Sequence, residues 1–178
     1  MEDQGQCEVS KMAATVGNMA GKVALITGAS SGIGAATAVL FSKLGASLAL
    51  TGRKEENLKK VGDQCQKEGS TKPLLIPGDL VKEEDTKRIL ESTIKHFGRL
   101  NILVNCAGIL ELGSIETTSL EQYDRMFNTN VRSMYHLTML AVPHLIATQG
   151  NIVNVSSVNG LRSSYCYDVC SVAVYGDV

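Results

Sequence analysis

The segment Thr27-Gly28-Ala29-Ser30-Ser31-Gly32-Ile33-Gly34 combines residue types and spacing that could do chemistry. The apolar run Val23-Ala24-Leu25-Ile26 precedes it, and Ala35-Ala36-Thr37-Ala38-Val39-Leu40-Phe41 follows. A short buried strand therefore feeds a glycine-dense turn, which opens a helix. Unpaired backbone N–H groups and the positive end of a helix dipole converge there, a setting that favours an anion such as a pyrophosphate. Gly28 permits a sharp turn, Gly32 lets the backbone approach the phosphates, and Gly34 brings helix and strand close together. With Ser30, Ser31 and Ile33, these glycines form the candidate cofactor loop. Glycines alone are a weak signal; their place between a strand and a helix makes this one strong.

Arg53 is the second candidate. It follows the next apolar run in Thr51-Gly52-Arg53, and in dinucleotide-binding sheets that strand end faces the adenosine ribose. An acidic residue there accepts from a 2′-hydroxyl, whereas an arginine neutralises a 2′-phosphate. NADP(H) is therefore expected over NAD(H).

No other cluster of reactive side chains has useful spacing. The five cysteines, Cys7, Cys65, Cys106, Cys166 and Cys170, form no disulfide framework. They read as reduced thiols in a cytoplasmic protein. Cys166 and Cys170 lack a second Cys/His pair, and His96, His136 and His144 form no ligand set, so no metal site is expected.

The elements that would position these residues alternate strand and helix, the pattern of a parallel α/β sheet. Strands are predicted at Val23–Ile26, Ser47–Leu50, Pro73–Ile76, Asn101–Val104 and Asn151–Val155. Helices are predicted at Gly32–Leu44, Glu55–Glu68 and Glu83–Phe97, ending at Gly45, Gly69 and Gly98. Ser119 with Gln122 forms a capping box ahead of a long helix over Tyr123–Ala147, broken near Asn128 and disturbed at Pro143. The result is a doubly wound sheet with Val23–Ile26 flanked by the second and fourth strands. Ligands bind such sheets at the carboxyl ends of the strands, where the candidate residues fall.

The glycine spacing, TGxxxGxG, resembles that of the short-chain dehydrogenase/reductase family, including 3-oxoacyl-carrier-protein reductases and hydroxysteroid reductases. The resemblance runs from about Gly21 to Arg162. It implies a Rossmann-type fold and hydride transfer between a nicotinamide and a carbonyl or secondary alcohol. It also implies that Asp79 and Leu80 meet the adenine, and that Gly52 stands where NAD-preferring members carry Asp. Asn105-Cys106-Ala107-Gly108 resembles the family's NNAG motif, with Cys106 in place of the second Asn, and Asn105, Ala107 and Gly108 join the cofactor-binding set. Asn130 matches a helix asparagine that helps hold a proton-relay water. Ser157, the second of the pair after Asn154-Val155, matches the catalytic serine that hydrogen-bonds the substrate oxygen.

The family completes its site with Tyr-x-x-x-Lys, about thirteen residues after the serine and spaced one helical turn apart. Here position 170 is Cys170, position 174 is Val174, and no lysine follows Lys95. From Ser163 to Val178 the sequence gathers three of its tyrosines without an amphipathic helical period. The reading is a C-terminally truncated dinucleotide domain over residues 21–162, an atypical tail over 163–178, and a disordered extension over 1–20. The alternative function is a catalytically inactive product that at most binds dinucleotide or pairs with full-length subunits. Asn151–Val155 would then be a sheet edge, prone to pairing with other chains.

Composition bounds the rest. The 178 residues are 44% hydrophobic and 20% charged with a formal net charge of −1, which suits one globular domain. The dispersed charge offers no footprint for nucleic acid, and no apolar run is long enough to cross a bilayer. Met1–Ala20 has neither the apolar stretch of a secretory signal nor an arginine-rich face. The expected partner is a small carbonyl or alcohol, and the resemblance implies a homo-oligomeric habit.

Overall fold

A computed structural model describes residues 17–69, 71–114 and 116–157. Five parallel strands form one sheet in the order β3-β2-β1-β4-β5: β1 (Val23–Ile26), β2 (Ser47–Gly52), β3 (Leu74–Pro77), β4 (Ile102–Asn105) and β5 (Asn151–Asn154). The chain starts in the middle, winds outward through β2 and β3, then crosses back to β4 and β5. That reversal opens a crevice between the ends of β1 and β4.

The central strands β1, β2 and β4 are short and mostly apolar because both sheet faces are covered there. In β1 all four residues are buried, and their alternation divides the core. Ala24 and Ile26 face α1 (Gly32–Lys43) and α2 (Glu55–Glu68), joining Leu48, Leu50, Ala38, Leu58 and Cys65. Leu25 faces the opposite side with Ala49, Leu103, Ile89 and Leu90 of α3 (Glu83–Phe97), and Leu137, Ala141 and Leu145 of α5 (Ser133–Thr148). Burial pushes the Cys65 thiol up to about 11, so it behaves as a core residue.

The expected core topology is the observed one. Helices α2 and α3 open with two or more acidic residues in the first turn, favourable at the positive end of the dipole. Gly98 ends α3 with φ of 73°, a left-handed cap. The fourth helix is broken near Asn128, as expected, but starts before Tyr123. It begins three residues earlier as α4 (Leu120–Phe127), with Ser119 and Gln122 capping each other's backbone. It then passes through a π-helical turn at Asn128–Arg132 before α5, which carries Pro143.

Strand β5 pairs with β4 from Ile102↔Asn151 to Asn105↔Asn154 and stands last in the sheet order. Its four residues are all exposed. Among the described residues no helix is long and apolar enough to cross a membrane, and no group of three potential ligands could hold a metal ion.

Candidate functional site

A cleft of about 660 Å³ lies at the carboxyl ends of β1 to β4. Its floor is the turn after β1. Gly28 has φ of 63°, and a Cβ there would stand 2.8 Å from the carbonyl oxygen of Cys106. A Cβ on Gly34 would meet the carbonyl oxygen of Gly28 at 2.5 Å. Side chains at these positions would separate α1 and the β4 turn from the loop, so the glycines are dictated by close approach.

Thr27 fastens the two turns. Its buried Oγ1 accepts from the N–H groups of Cys106 and Ala107 at 2.9 and 3.0 Å, and lies 3.3 Å from the carbonyl oxygen of Val104. The loop after β4 is thereby held against the loop after β1. Burial pushes the Cys106 thiol up, against a smaller lowering effect of a backbone hydrogen bond at Gly34. A thiol held protonated is a poor nucleophile.

The cleft brings together Gly28, Ser30, Ser31, Gly32, Ile33 and Gly34 with Arg53, Asp79, Leu80, Ala107 and Gly108. Three expected site residues do not line it. Asn105 is buried beneath, its Nδ2 3.1 Å from Thr138 Oγ1 and 2.9 Å from Asn154 Oδ1. Asn130 engages the loop after β4: Oδ1 accepts from the Ile109 N–H, and Nδ2 donates to its carbonyl. Ser157 follows β5 and is half-buried, also outside this wall.

Sequence reasoning missed several wall residues. Lys54 and Asn57 flank Arg53 where β2 gives way to α2, and Thr129 and Ser133 come from the π-helical turn and the start of α5. The first pair had a signal, being one and four residues beyond Arg53 at a helix start. The second pair had none, because the π turn that presents them leaves no hydrophobic period. Among the described residues Arg53 is exposed and forms no salt bridge, unlike Lys43, Arg88, Arg125 and Arg132.

The short chain dehydrogenase family model matches residues 22–173. The chain belongs to that family. The match extends past Arg162, into the stretch that sequence reading had set apart as an atypical tail. The chain is 39% identical over 145 residues to 11-beta-hydroxysteroid dehydrogenase-like 2 of Arabidopsis thaliana, covering 81% of this chain and 47% of that protein. It is 42% identical over 145 residues to an uncharacterized oxidoreductase of Thermotoga maritima, covering 81% and 57%. Among solved structures, the apo form of glucose dehydrogenase of Caenorhabditis elegans aligns with a TM-score of 0.73 at 43% identity, covering 79% of this chain and 56% of that one. The chain thus spans about half the length of the curated relatives it matches.

Proposed function

We propose that the cleft holds NADP(H) in preference to NAD(H), as part of an oxidoreductase acting on a carbonyl or secondary alcohol. The observation that carries this reading is the Gly28–Gly34 loop beside an arginine that has no carboxylate partner among the described residues. The loop would hold the pyrophosphate through backbone N–H groups, and Arg53 would neutralise the 2′-phosphate. Gly52 offers no acid to a 2′-hydroxyl, and a Cβ there would crowd Ser30 Oγ at 3.0 Å. Asp79 and Leu80 would take the adenine, and Ala107 and Gly108 would let the backbone approach a ribose. Asn105 and Asn130 serve this arrangement from beneath and behind the loops.

When bound, the nicotinamide would supply or accept the hydride. Ser157 would hydrogen-bond the substrate oxygen, and Asn130 would hold the loop beside it. Reduced thiols at Cys65 and Cys106 fit a cytoplasmic setting.

The cofactor assignment is tested by replacing Arg53 with Ala and titrating NADPH and NADH by fluorescence. NADPH affinity should fall by about tenfold or more, the cost of a charge-assisted contact, with NADH nearly unchanged. Equal losses overturn the assignment.

A second reading has its own observation. Cys170 and Val174 occupy the places where the resemblance calls for Tyr and Lys. Loss of a general acid costs about 10²–10⁴ in rate. On this reading the 178-residue chain binds dinucleotide without turnover, alone or paired with longer subunits. The purified chain should then oxidise NADPH with a simple ketone no faster than a Ser157→Ala control. Turnover above that control rejects the silent reading and supports the enzymatic one.

A further inference from the structure

The turn after β3 forms the far wall of the cleft, and a set of side chains from a single helix surrounds it. Gly78, Asp79, Leu80 and Val81 all line the cleft. Three residues near the start of α3 hold the backbone behind them. Arg88 Nη2 donates to the Pro77 carbonyl at 2.7 Å. Asp85 Oδ2 accepts from the Asp79 N–H at 2.9 Å. Thr86, fully buried, donates its hydroxyl to the Leu80 carbonyl at 3.0 Å. Arg88 also meets Asp85 Oδ1 at 2.6 Å, so the cation and the carboxylate hold each other as well as the turn.

This arrangement goes beyond what a helix start requires. An acidic first turn favours the helix dipole wherever its side chains point. Here the carboxylate of Asp85 reaches back six residues to one particular N–H, and the carbonyls of Pro77 before it and Leu80 after it are held by Arg88 and Thr86. Glycine at position 78 lets them close, since a Cβ there would stand 3.0 Å from Arg88 Nη2 and 3.5 Å from Asp85 Cβ. The Asp79 carboxylate is oriented in turn, with Oδ1 3.2 Å from the Val81 N–H. The Asp85 carboxyl is held below its usual range first by the Asp79 N–H and then by Arg88, in accord with a carboxylate kept ionised at this post.

We propose that Asp85, Thr86 and Arg88 are positioning residues that fix the Asp79–Leu80 turn as the base-reading edge of the dinucleotide site. The proposal rests on the cofactor reading above. None of the three lines the cleft, so their effect passes through Asp79 and Leu80. A turn held at three backbone groups, the Pro77 carbonyl, the Asp79 N–H and the Leu80 carbonyl, presents its carboxylate and peptide groups in one geometry. A loosened turn still contacts a base but no longer discriminates its edge. The recognised chemistry is an exocyclic amino group on a purine, which an oriented carboxylate accepts from.

The test compares NADPH with its hypoxanthine counterpart, in which an oxygen replaces the adenine amino group. Affinities are measured by fluorescence for the full 178-residue chain and for Asp85→Ala, Asp85→Asn, Thr86→Val and Thr86→Ser. The unsubstituted chain should prefer the adenine form by about two- to tenfold, the range of one hydrogen bond. Asp85→Ala and Thr86→Val should erase that preference. Asp85→Asn, which keeps an acceptor for the Asp79 N–H, and Thr86→Ser, which keeps the hydroxyl, should restore most of it. A merely structural role would weaken both dinucleotides by the same factor and leave their ratio intact, and that result overturns the proposal. Should Asp85→Ala fail to fold, the Thr86 pair decides the matter alone. If the unsubstituted chain binds neither dinucleotide, the cofactor reading fails, and the proposal with it. If it binds both without preference, the cofactor reading stands and the base-reading role is rejected.

Discussion

Asn130 holds both backbone polar groups of Ile109, accepting from its N–H at 2.8 Å and donating to its carbonyl at 3.0 Å. The residues are 21 apart in sequence, one in the π-helical turn and one in the loop after Gly108. A planar amide with one donor side and one acceptor side suits this task, and no other small side chain duplicates it. The π turn gives the amide its place in the loop, which explains an asparagine where helix propensity disfavours one.

Asn130→Ala removes both bonds and should cost about 1–3 kcal/mol, the range for two ordinary hydrogen bonds with partly buried partners. Asn130→Asp keeps the acceptor and should lose less near neutral pH. Urea unfolding of the three proteins measures this. Equal midpoints for all three would show that the loop is held by other means.

The Gly28–Gly34 loop makes a sharper demand. Gly34→Ala places a methyl 2.5 Å from a carbonyl oxygen of the preceding turn, where only backbone displacement can relieve it. Overpacking of this kind costs about 1–3 kcal/mol. It should also lower affinity for any dinucleotide, because the displaced strand-to-helix turn is the element proposed to hold the pyrophosphate. Gly17→Ala, where a Cβ meets nothing within 4 Å, serves as the control and should change neither property. A Gly34→Ala protein with unaltered melting temperature and binding would remove the structural reason for this glycine.

How far the sequence exposes this architecture varies with the kind of signal. The bounds of β1, α2 and α3 are readable to the residue, since apolar runs and acidic first turns mark them and Gly69 and Gly98 follow the two helices. Strand β2 runs two residues beyond the apolar run, through Thr51 and Gly52, because pairing with Ile76 and Pro77 carries it on. Nothing in a hydrophobic pattern marks that extension. The Gly28–Gly34 loop was legible because its residues are contiguous. The roles of Asn105 and Asn130 were less so, since their partners Asn154, Thr138 and Ile109 are supplied by folding across 21 to 49 residues.

Acid should weaken the fold in a definite direction. Hydrogen bonding to Arg132 holds the Glu83 carboxyl below its ordinary value of 4.5, and Arg125 does the same for Glu111. A carboxyl with a lowered folded pKa stabilises the fold above its unfolded pKa, and that contribution is lost as pH falls through the folded value. Both pairs are exposed at the surface, so salt screens them and each effect is small. The urea midpoint should be flat from neutral pH to about 5.5 and decline below about 4.5, less steeply in a Glu83→Gln, Glu111→Gln protein. An identical decline in that double variant would assign the acid sensitivity to other carboxylates.

The last expectation concerns the outer side of α5 and the edge beside it. Tyr135, Met139, Val142 and Ile146 recur at helical spacing and are 67%, 52%, 36% and 72% exposed. In and just after β5, Ile152, Val153 and Val155 are also exposed, and the described residues pair β5 on one side alone. Soluble monomers tolerate apolar patches of only about 300–600 Å², and an apolar strand edge invites further pairing. The 178-residue chain expressed alone should therefore self-associate as its concentration rises. Met139→Lys with Ile146→Lys should reduce that association without lowering the urea midpoint, since neither side chain belongs to the buried clusters. Light scattering during size-exclusion chromatography distinguishes the outcomes. A monodisperse monomer with a sharp thermal transition would show that this face is covered within the chain itself.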